Sequence, residues 1–334
     1  MAEKNISKRT KRRYKRRLKT SVKIGIVAFI FFVIMGAYIG IRVYQLKNYV
    51  NPFGEVDKKE DEVEDDLGTI EVAASYDILD VGAGEAILAK CGSFEALIDT
   101  GPKGSEDKLM KALEGKVTGK LDYLILTSPT EGRTGGIETV VNSFNVDTVI
   151  IGDFGDEKDA VLRRINGKAS SFEDGVSSSF DFGEGATLFI IKPEVSSSDA
   201  GDRSLVTYFK VDQKGFIAFS DAGKEEVARA LSGIERCDVI VFPQYGQSEA
   251  VPKIEEQISA AYYIASTGKD SDFPSEELQK QYYNKIFTTS ENGTITFTVN
   301  NGDVASSLDN KGTGSEKDKE EEKEEDSEGD DSSQ

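Results

Sequence analysis

Leu124-Ile125-Leu126-Thr127-Ser128-Pro129-Thr130-Glu131-Gly132-Arg133-Thr134-Gly135-Gly136 is the stretch on which the fold turns. The run 121–126 before its hydroxyl-rich loop is almost continuously apolar and reads as a strand. After the loop, the pair Gly135-Gly136 leads into 137–144, whose apolar spacing is helical. A second apolar strand follows at 146–151.

The same alternation extends in both directions. Upstream, 75–81, 86–91 and 94–99 are short apolar runs parted by glycine clusters, the pattern of a strand meander, and 106–113 has helical spacing. Downstream, 160–165, 225–231 and 276–283 read as helices. Residues 187–191, 205–211, 216–219 and 239–242 read as strands, and 294–299 as a closing strand behind a hairpin-type turn at Asn292-Gly293. Tyr262-Tyr263 and Tyr282-Tyr283 fit strand and helix packing, and no internal repeat is visible by direct identity. Strand runs interspersed with single helices predict an α/β sandwich, with two facing sheets and helices outside.

Composition narrows the chemistry. The chain has 334 residues, a formal net charge of −19 and no histidine. Without imidazole there is no Ser-His-Asp triad, His–carboxylate dyad or His metal site. The acidic balance opposes broad electrostatic capture of nucleic acid. Two cysteines cannot make a Cys₄ zinc site, and Cys91 and Cys237, both in apolar runs, read as buried free thiols.

The charge is segregated. Residues 1–23 carry eleven Lys/Arg against one Glu, a net +10, which leaves −29 for the rest. Eighteen uncharged residues follow at 24–41, close to the roughly 20 that span a bilayer. We therefore expect a basic cytoplasmic tail (1–23), a transmembrane signal anchor (24–43) and an acidic extracytoplasmic linker (44–67). The main domain (68–308) then stands outside the cell membrane, and an acidic tail (309–334) closes the chain. The basic block sets topology and touches lipid headgroups, with nucleic-acid binding as the alternative.

Seven blocks, in order, resemble metallo-β-lactamase-fold domains, especially the C-terminal hydrolase-like domain of the ComEC competence proteins. Asp80-Val81-Gly82-Ala83-Gly84-Glu85-Ala86 is similar to their D-V-G-Q-G-D-A opening, and Leu97-Ile98-Asp99-Thr100-Gly101 to the strand end that follows. The opening quotation stands where the family has L-x-L-T-H-P-H-x-D-H-x-G-G. Gly201-Asp202-Arg203-Ser204-Leu205-Val206, 216–221, 239–247 and Asp272-Phe273-Pro274-Ser275 resemble the later blocks. The resemblance implies a four-layer αββα metallo-β-lactamase-like sandwich, preceded here by one transmembrane helix.

It also implies a site of one or two Zn²⁺ or Mn²⁺ ions, and here the residues depart from the family. Ser128, Thr130, Gly132 and Arg133 stand where His, His, Asp and His are expected. Gln244, Tyr245 and Phe273 replace three further histidines, and Asp221 alone matches a ligand. Hydroxyls are poor ligands and a guanidinium cannot ligate, so no catalytic residue, metal or cofactor is expected. Asp80, Gly82, Gly84, Asp99, Gly101, Gly135 and Gly136 fall at structural positions of the old site, although Asp99 could also assist a ligand. Two alternatives concern the degenerate pocket of Ser128, Thr130, Arg133, Arg203, Asp221, Gln244 and Tyr245. Either Arg133 pairs with Asp221, or it faces an open pocket and, with Ser128, Thr130 and Arg203, holds a small anion. An oxygen-only cation site of Asp80, Asp99, Glu131 and Asp221 is a further alternative.

The expected function is that of a membrane-anchored pseudo-hydrolase, a binding or scaffolding module for an envelope protein or small anionic ligand. The alternatives are a phosphodiesterase or nuclease with an unorthodox site, or an anion-binding sensor.

Overall fold

A computed structural model of the chain describes residues 74–309, apart from 166, 175–177, 195, 196, 198 and 200. The first half supplies β1 (Ala74–Ile78), β2 (Ile87–Cys91), β3 (Phe94–Ile98), β4 (Lys120–Leu126), β5 (Asn145–Ile151) and β6 (Ala169–Asp174). The second supplies β7 (Ser178–Gly183), β8 (Ala186–Ile191), β9 (Val206–Val211), β10 (Lys214–Ala218), β11 (Val239–Val241), β12 (Tyr262–Ala265) and β13 (Ile286–Thr288). A hairpin of β14 (Ile295–Asn300) and β15 (Asp303–Leu308) ends the described chain.

These strands form two sheets, in the orders β15-β14-β1-β2-β3-β4-β5-β6 and β13-β12-β11-β10-β9-β8-β7. Each sheet changes character along its width. In the first, the pairs from β15 to β3 are antiparallel and those from β3 to β6 are parallel. In the second, β7 to β10 pair antiparallel and β10 to β13 parallel. Parallel neighbours need crossovers, which put helices on the outer faces; β4 and β11 are consequently covered on both sides and read as apolar runs.

The inner faces of the two sheets share one core that includes Tyr76, Ile98 and Phe297 from the first and Phe209, Phe216 and Ile264 from the second. Tyr76 meets Phe216 at a centroid distance of 5.3 Å. Outside the first sheet pack α1 (Glu106–Leu113), α3 (Ile137–Ser143) and α4 (Lys158–Ile165), burying Leu109, Leu113, Val140 and Val161. Between α1 and α3 lies a single turn, α2 (Glu131–Thr134). Over the second sheet lie α5 (Lys224–Ser232) and α6 (Val251–Gln257), through Val227, Leu231 and Ile254. Two shorter helices, α7 (Glu276–Gln281) and α8 (Thr289–Asn292), complete the chain. The expected α/β sandwich is therefore present as four layers, αββα.

Two local expectations are corrected. Asn292-Gly293 is not a hairpin turn: it ends α8, where Gly293 takes φ 70° as the helix terminates. The hairpin turn comes at Asn301-Gly302, with φ 49° and 79°, so β14 is not the closing strand. The apolar run 24–41, expected to cross the membrane, lies outside the described residues, as do the tails. Among the described residues no helix is long and apolar enough to cross a membrane. Cys91 and Cys237 are both buried and free, and burial pushes the Cys237 thiol up to about 12.

Candidate functional site

The site lies where β3, β4, β10, β11 and β12 end, beyond the carboxyl edges of the parallel strands. Chain direction reverses there and side chains from several loops converge. Backbone contacts bring the loops together. Glu85 N–H donates to Gly132 O (3.0 Å), Thr100 N–H to Arg133 O (2.7 Å) and Gly135 N–H to Gly101 O (2.8 Å). The loops are so close that a Cβ on Gly84 would lie 2.4 Å from Gly132 O, and one on Gly135 would lie 2.0 Å from Lys103 N. Only glycine lets three backbones meet at this distance.

At their junction the guanidinium of Arg133, carried by α2, is wholly buried. It faces three carboxylates. Its Nη1 lies 2.5 Å from Glu85 Oε1 and 3.1 Å from Asp99 Oδ2, and its Nη2 lies 2.8 Å from Asp221 Oδ1. The Tyr245 ring stacks over its Cζ at 4.9 Å from the centroid, a cation–π contact. Two of the three carboxylates have a second anchor. Asp99 accepts from Thr127 N–H (2.8 Å) and Thr127 Oγ1 (2.6 Å), and Asp221 from Thr130 Oγ1 (2.7 Å). The Glu85 backbone carbonyl accepts from Gly101 N–H (2.9 Å). Of the two alternatives for Arg133, the structure shows the pair with Asp221, enlarged by two partners.

Three carboxylates against one guanidinium leave an excess of buried negative charge, and proton affinity responds. Burial pushes Asp99 up to about 7 and also raises Glu85, in each case against the opposing pull of Arg133. Asp221 goes the other way: burial would raise it, but the charge of Arg133 and hydrogen bonds from Arg133, Thr130 and Ser128 hold it below the usual carboxylate range. Backbone strain gathers here too. Asp99, Ser220, Gln244 and Tyr245 all take positive φ, between 51° and 59°, a conformation that L side chains seldom hold without surrounding constraint.

The remaining candidates are placed as follows. Ser128 lies beside Thr130, with Oγ–Oγ1 3.4 Å. Gln244 donates its amide to Asp221 O at 3.2 Å. Arg203 is directed elsewhere, to Asp153 Oδ2 (3.4 Å) and Ser197 O (2.6 Å). Phe273 packs edge-on against Phe242 and lies 2.7 Å from where a Cβ on Gly246 would stand. Asp80 caps its own turn at Gly82 N–H and lies 3.5 Å from Lys108 Nζ, while Glu131 is exposed. The four carboxylates considered for a cation site are thus not gathered. Glu85 was not singled out from the sequence, although a signal was there: it is the charged residue that directly follows the glycines of a turn and leads into a buried strand.

This donor set does not fit a Zn²⁺ or Mn²⁺ centre. A permanently protonated guanidinium occupies the space the carboxylates enclose and uses their inward-facing oxygens; a divalent ion would have to displace it.

Beside the cluster opens a cavity of about 470 Å³. Its walls come from the loops after β1, β11 and β12, and Tyr245 separates it from Arg133.

No family model matches the sequence, and no curated protein matches it. Among solved structures, the metallo-β-lactamase-fold protein YhfI from Bacillus subtilis is 12% identical, with a TM-score of 0.49, and spans 70% of this chain and 99% of its own. A diphosphatase of the PhnP family is 13% identical, with a TM-score of 0.45, over 68% of this chain and 99% of its own. A metal-dependent hydrolase of the β-lactamase superfamily, Tm1679, is 12% identical, with a TM-score of 0.42, over 65% and 95%. The fold reading rests on the ordered sequence blocks and the αββα layers, and these likenesses lend nothing about activity.

Proposed function

We propose that the chain is a non-catalytic, metallo-β-lactamase-like binding or scaffolding module, held at the cell membrane by residues 24–41 with its main domain on the outer side. One observation carries the non-catalytic reading: the buried Arg133 guanidinium, clamped by Glu85, Asp99 and Asp221. It supplies the positive charge that such a carboxylate nest requires, yet it cannot polarise a bound water toward hydroxide as a metal ion does. The three carboxylates of the cluster are buried and held as ion-pair partners of Arg133.

What remains useful is the rigid rim. The neighbouring cavity and the exposed faces offer a surface for an envelope protein or a small ligand, and the acidic balance disfavours nucleic acid. The 18-residue apolar run and the positively charged flank before it support the anchor and its orientation.

Two measurements test this reading. The full chain, incubated with excess Zn²⁺, Mn²⁺, Mg²⁺ and Ca²⁺ and freed of unbound ion, is expected to retain far less than one metal per molecule and to leave bis-(p-nitrophenyl) phosphate intact. Stoichiometric transition metal together with turnover would overturn the non-catalytic reading. The anchor is tested by alkaline carbonate extraction of membranes, where the full chain should stay in the pellet and a chain lacking residues 24–41 should not.

A further inference from the structure

Strand β15 is an open edge of the first sheet. Just beyond it, Asp309 N–H donates to Thr294 O at 3.1 Å, which makes Asp309 and Thr294 a hydrogen-bonded pair of the antiparallel ladder. Bonded and non-bonded pairs alternate, so the next bonded pairs along β15 are Ser307–Thr296, Ala305–Thr298 and Asp303–Asn300. The backbone N–H and C=O groups of Val304, Ser306 and Leu308 therefore point away from β14, along the free edge.

Native sheets usually blunt their edges with charge, proline, a bulge or a short strand. Two other edges here follow that rule: β13 has only three residues, and β7 carries a register shift between Asp181 and Gly183. β15 has six residues, pairs with β14 without a break, and holds no proline or lysine. Asp303, Ala305, Ser306 and Ser307 are exposed.

The outward groups are self-complementary. A second copy turned about a two-fold axis through Ser306 would set Ser306 opposite Ser306 and Val304 opposite Leu308, so that the outward N–H and C=O groups of both strands meet. Val304 and Leu308 are half-buried and already pack against the inter-sheet core, and their contact would extend that apolar face.

Charge opposes this pairing. In the same register Asp303 would face Asp309 of the second copy, and like charges directly opposed destabilise a cross-strand pair. Residues 310–334, which follow Asp309 directly, hold eleven Asp/Glu against four Lys, a net −7, and no apolar residue. They have no side chains with which to cover Val304 and Leu308. Two copies meeting at β15 would, however, bring each such segment against Asp303 of the other copy.

We propose that β15 is a self-pairing edge whose partner is a second copy of this chain, and that the acidic residues 310–334 hold the pairing off until their charge is screened or neutralised. The inference goes beyond the non-catalytic reading and draws nothing from the Arg133 cluster.

Disulfide trapping on the full chain, in non-ionic detergent, tests it. Opposed Cα atoms of a hydrogen-bonded antiparallel pair lie about 5.5 Å apart, within the roughly 4.4–6.8 Å that a disulfide spans. Cys91 and Cys237 are buried, which leaves the readout to a new thiol. Ser306→Cys should cross-link under mild oxidation slowly at about 0.1 M salt and at least about tenfold faster at about 1 M, where the screening length falls from ~10 Å to ~3 Å. Removing residues 310–334, or replacing their Asp and Glu with Asn and Gln at full length, should give the fast rate already at the lower salt. Ala305→Cys, which in this register faces Ser307, should cross-link poorly in every background. The proposal is overturned if Ser306→Cys fails to cross-link without the acidic segment, if salt and segment leave its rate unchanged, or if Ala305→Cys reacts equally fast. Acceleration by the deletion but not by the neutral replacement would overturn the part assigned to charge.

Discussion

Arg133 is the residue on which the site depends. Replacing it with methionine keeps much of the volume but leaves three buried carboxylates without a cation, a change of the kind that costs about 3–5 kcal/mol. The loss, read from urea unfolding, should be larger at pH 8 than at pH 5, where protonation of the raised groups Asp99 and Glu85 relieves the repulsion. Asp99 gives a separate signature. Its carboxyl titrates near about 4 in the unfolded chain and near about 7 in the fold, so the folded state holds a proton that the unfolded state has released. Stability from this group is fully present below pH ~4 and is lost as pH rises through about 7, at up to about 1.4 kcal/mol per pH unit. Asp99→Asn should flatten the stability profile between about pH 4 and 7, and an unchanged slope would show that Asp99 is not the titrating group. Asp221, held low by Arg133, acts only in stronger acid, where stability falls as pH drops through its folded value. Sequence reasoning found Arg133 and Asp221 because both stand at positions where metal ligands were expected. It passed over Glu85 because a carboxylate in a polar turn is ordinarily solvated, and only the packing of Gly84 on Gly132 shuts water out.

At the scale of elements, the glycines that let the loops meet differ from those that merely turn. Gly135→Ala would drive a methyl to within 2.0 Å of the Lys103 backbone nitrogen and 2.1 Å of the Pro102 carbonyl carbon, and neither main chain can move without pulling on the Arg133 cluster. Gly104→Ala meets nothing within 4 Å and bears only the strain of its φ of 86°, about 1 kcal/mol. Thermal unfolding should therefore separate them, with a loss of several kcal/mol at Gly135 and a small one at Gly104; equal losses would mean the loop contact is looser than described. The elements read well from sequence were those with a burial pattern to betray them, such as α1, with Leu109 and Leu113 one turn apart facing the core. The strand β15 (DVASSL) was missed because as an edge strand it is largely exposed and its residues alternate weakly. β13 was missed because three residues are too few to show a period. Pro252 obscured α6, yet it sits in that helix's first turn, where its absent N–H costs nothing.

In the whole molecule the cluster is also a tie. Glu85, Asp99 and Arg133 belong to loops of the first sheet, whereas Asp221, Ser220, Gln244 and Tyr245 belong to the second. The contacts Arg133–Asp221, Thr130–Asp221 and Arg133–Tyr245 therefore bind the two sheets at the edge where parallel strands end, while the aromatic core joins them along their faces. A purely local ion pair and a structural tie make different predictions. In a double-mutant cycle of Arg133→Met with Asp221→Asn, groups in direct contact within one network couple by about 0.5–3 kcal/mol, and a pair that links the sheets should fall in the upper half of that range. The single variants should also raise amide hydrogen exchange on both sides of the junction, around residues 127–134 and around 219–222 and 243–246, and leave β1, β2 and β9 protected. Faster exchange confined to 127–134 would show that Arg133 orders only its own loop. Exchange rising on both sides would show that a guanidinium holds this sandwich closed at the edge where the family resemblance calls for metal.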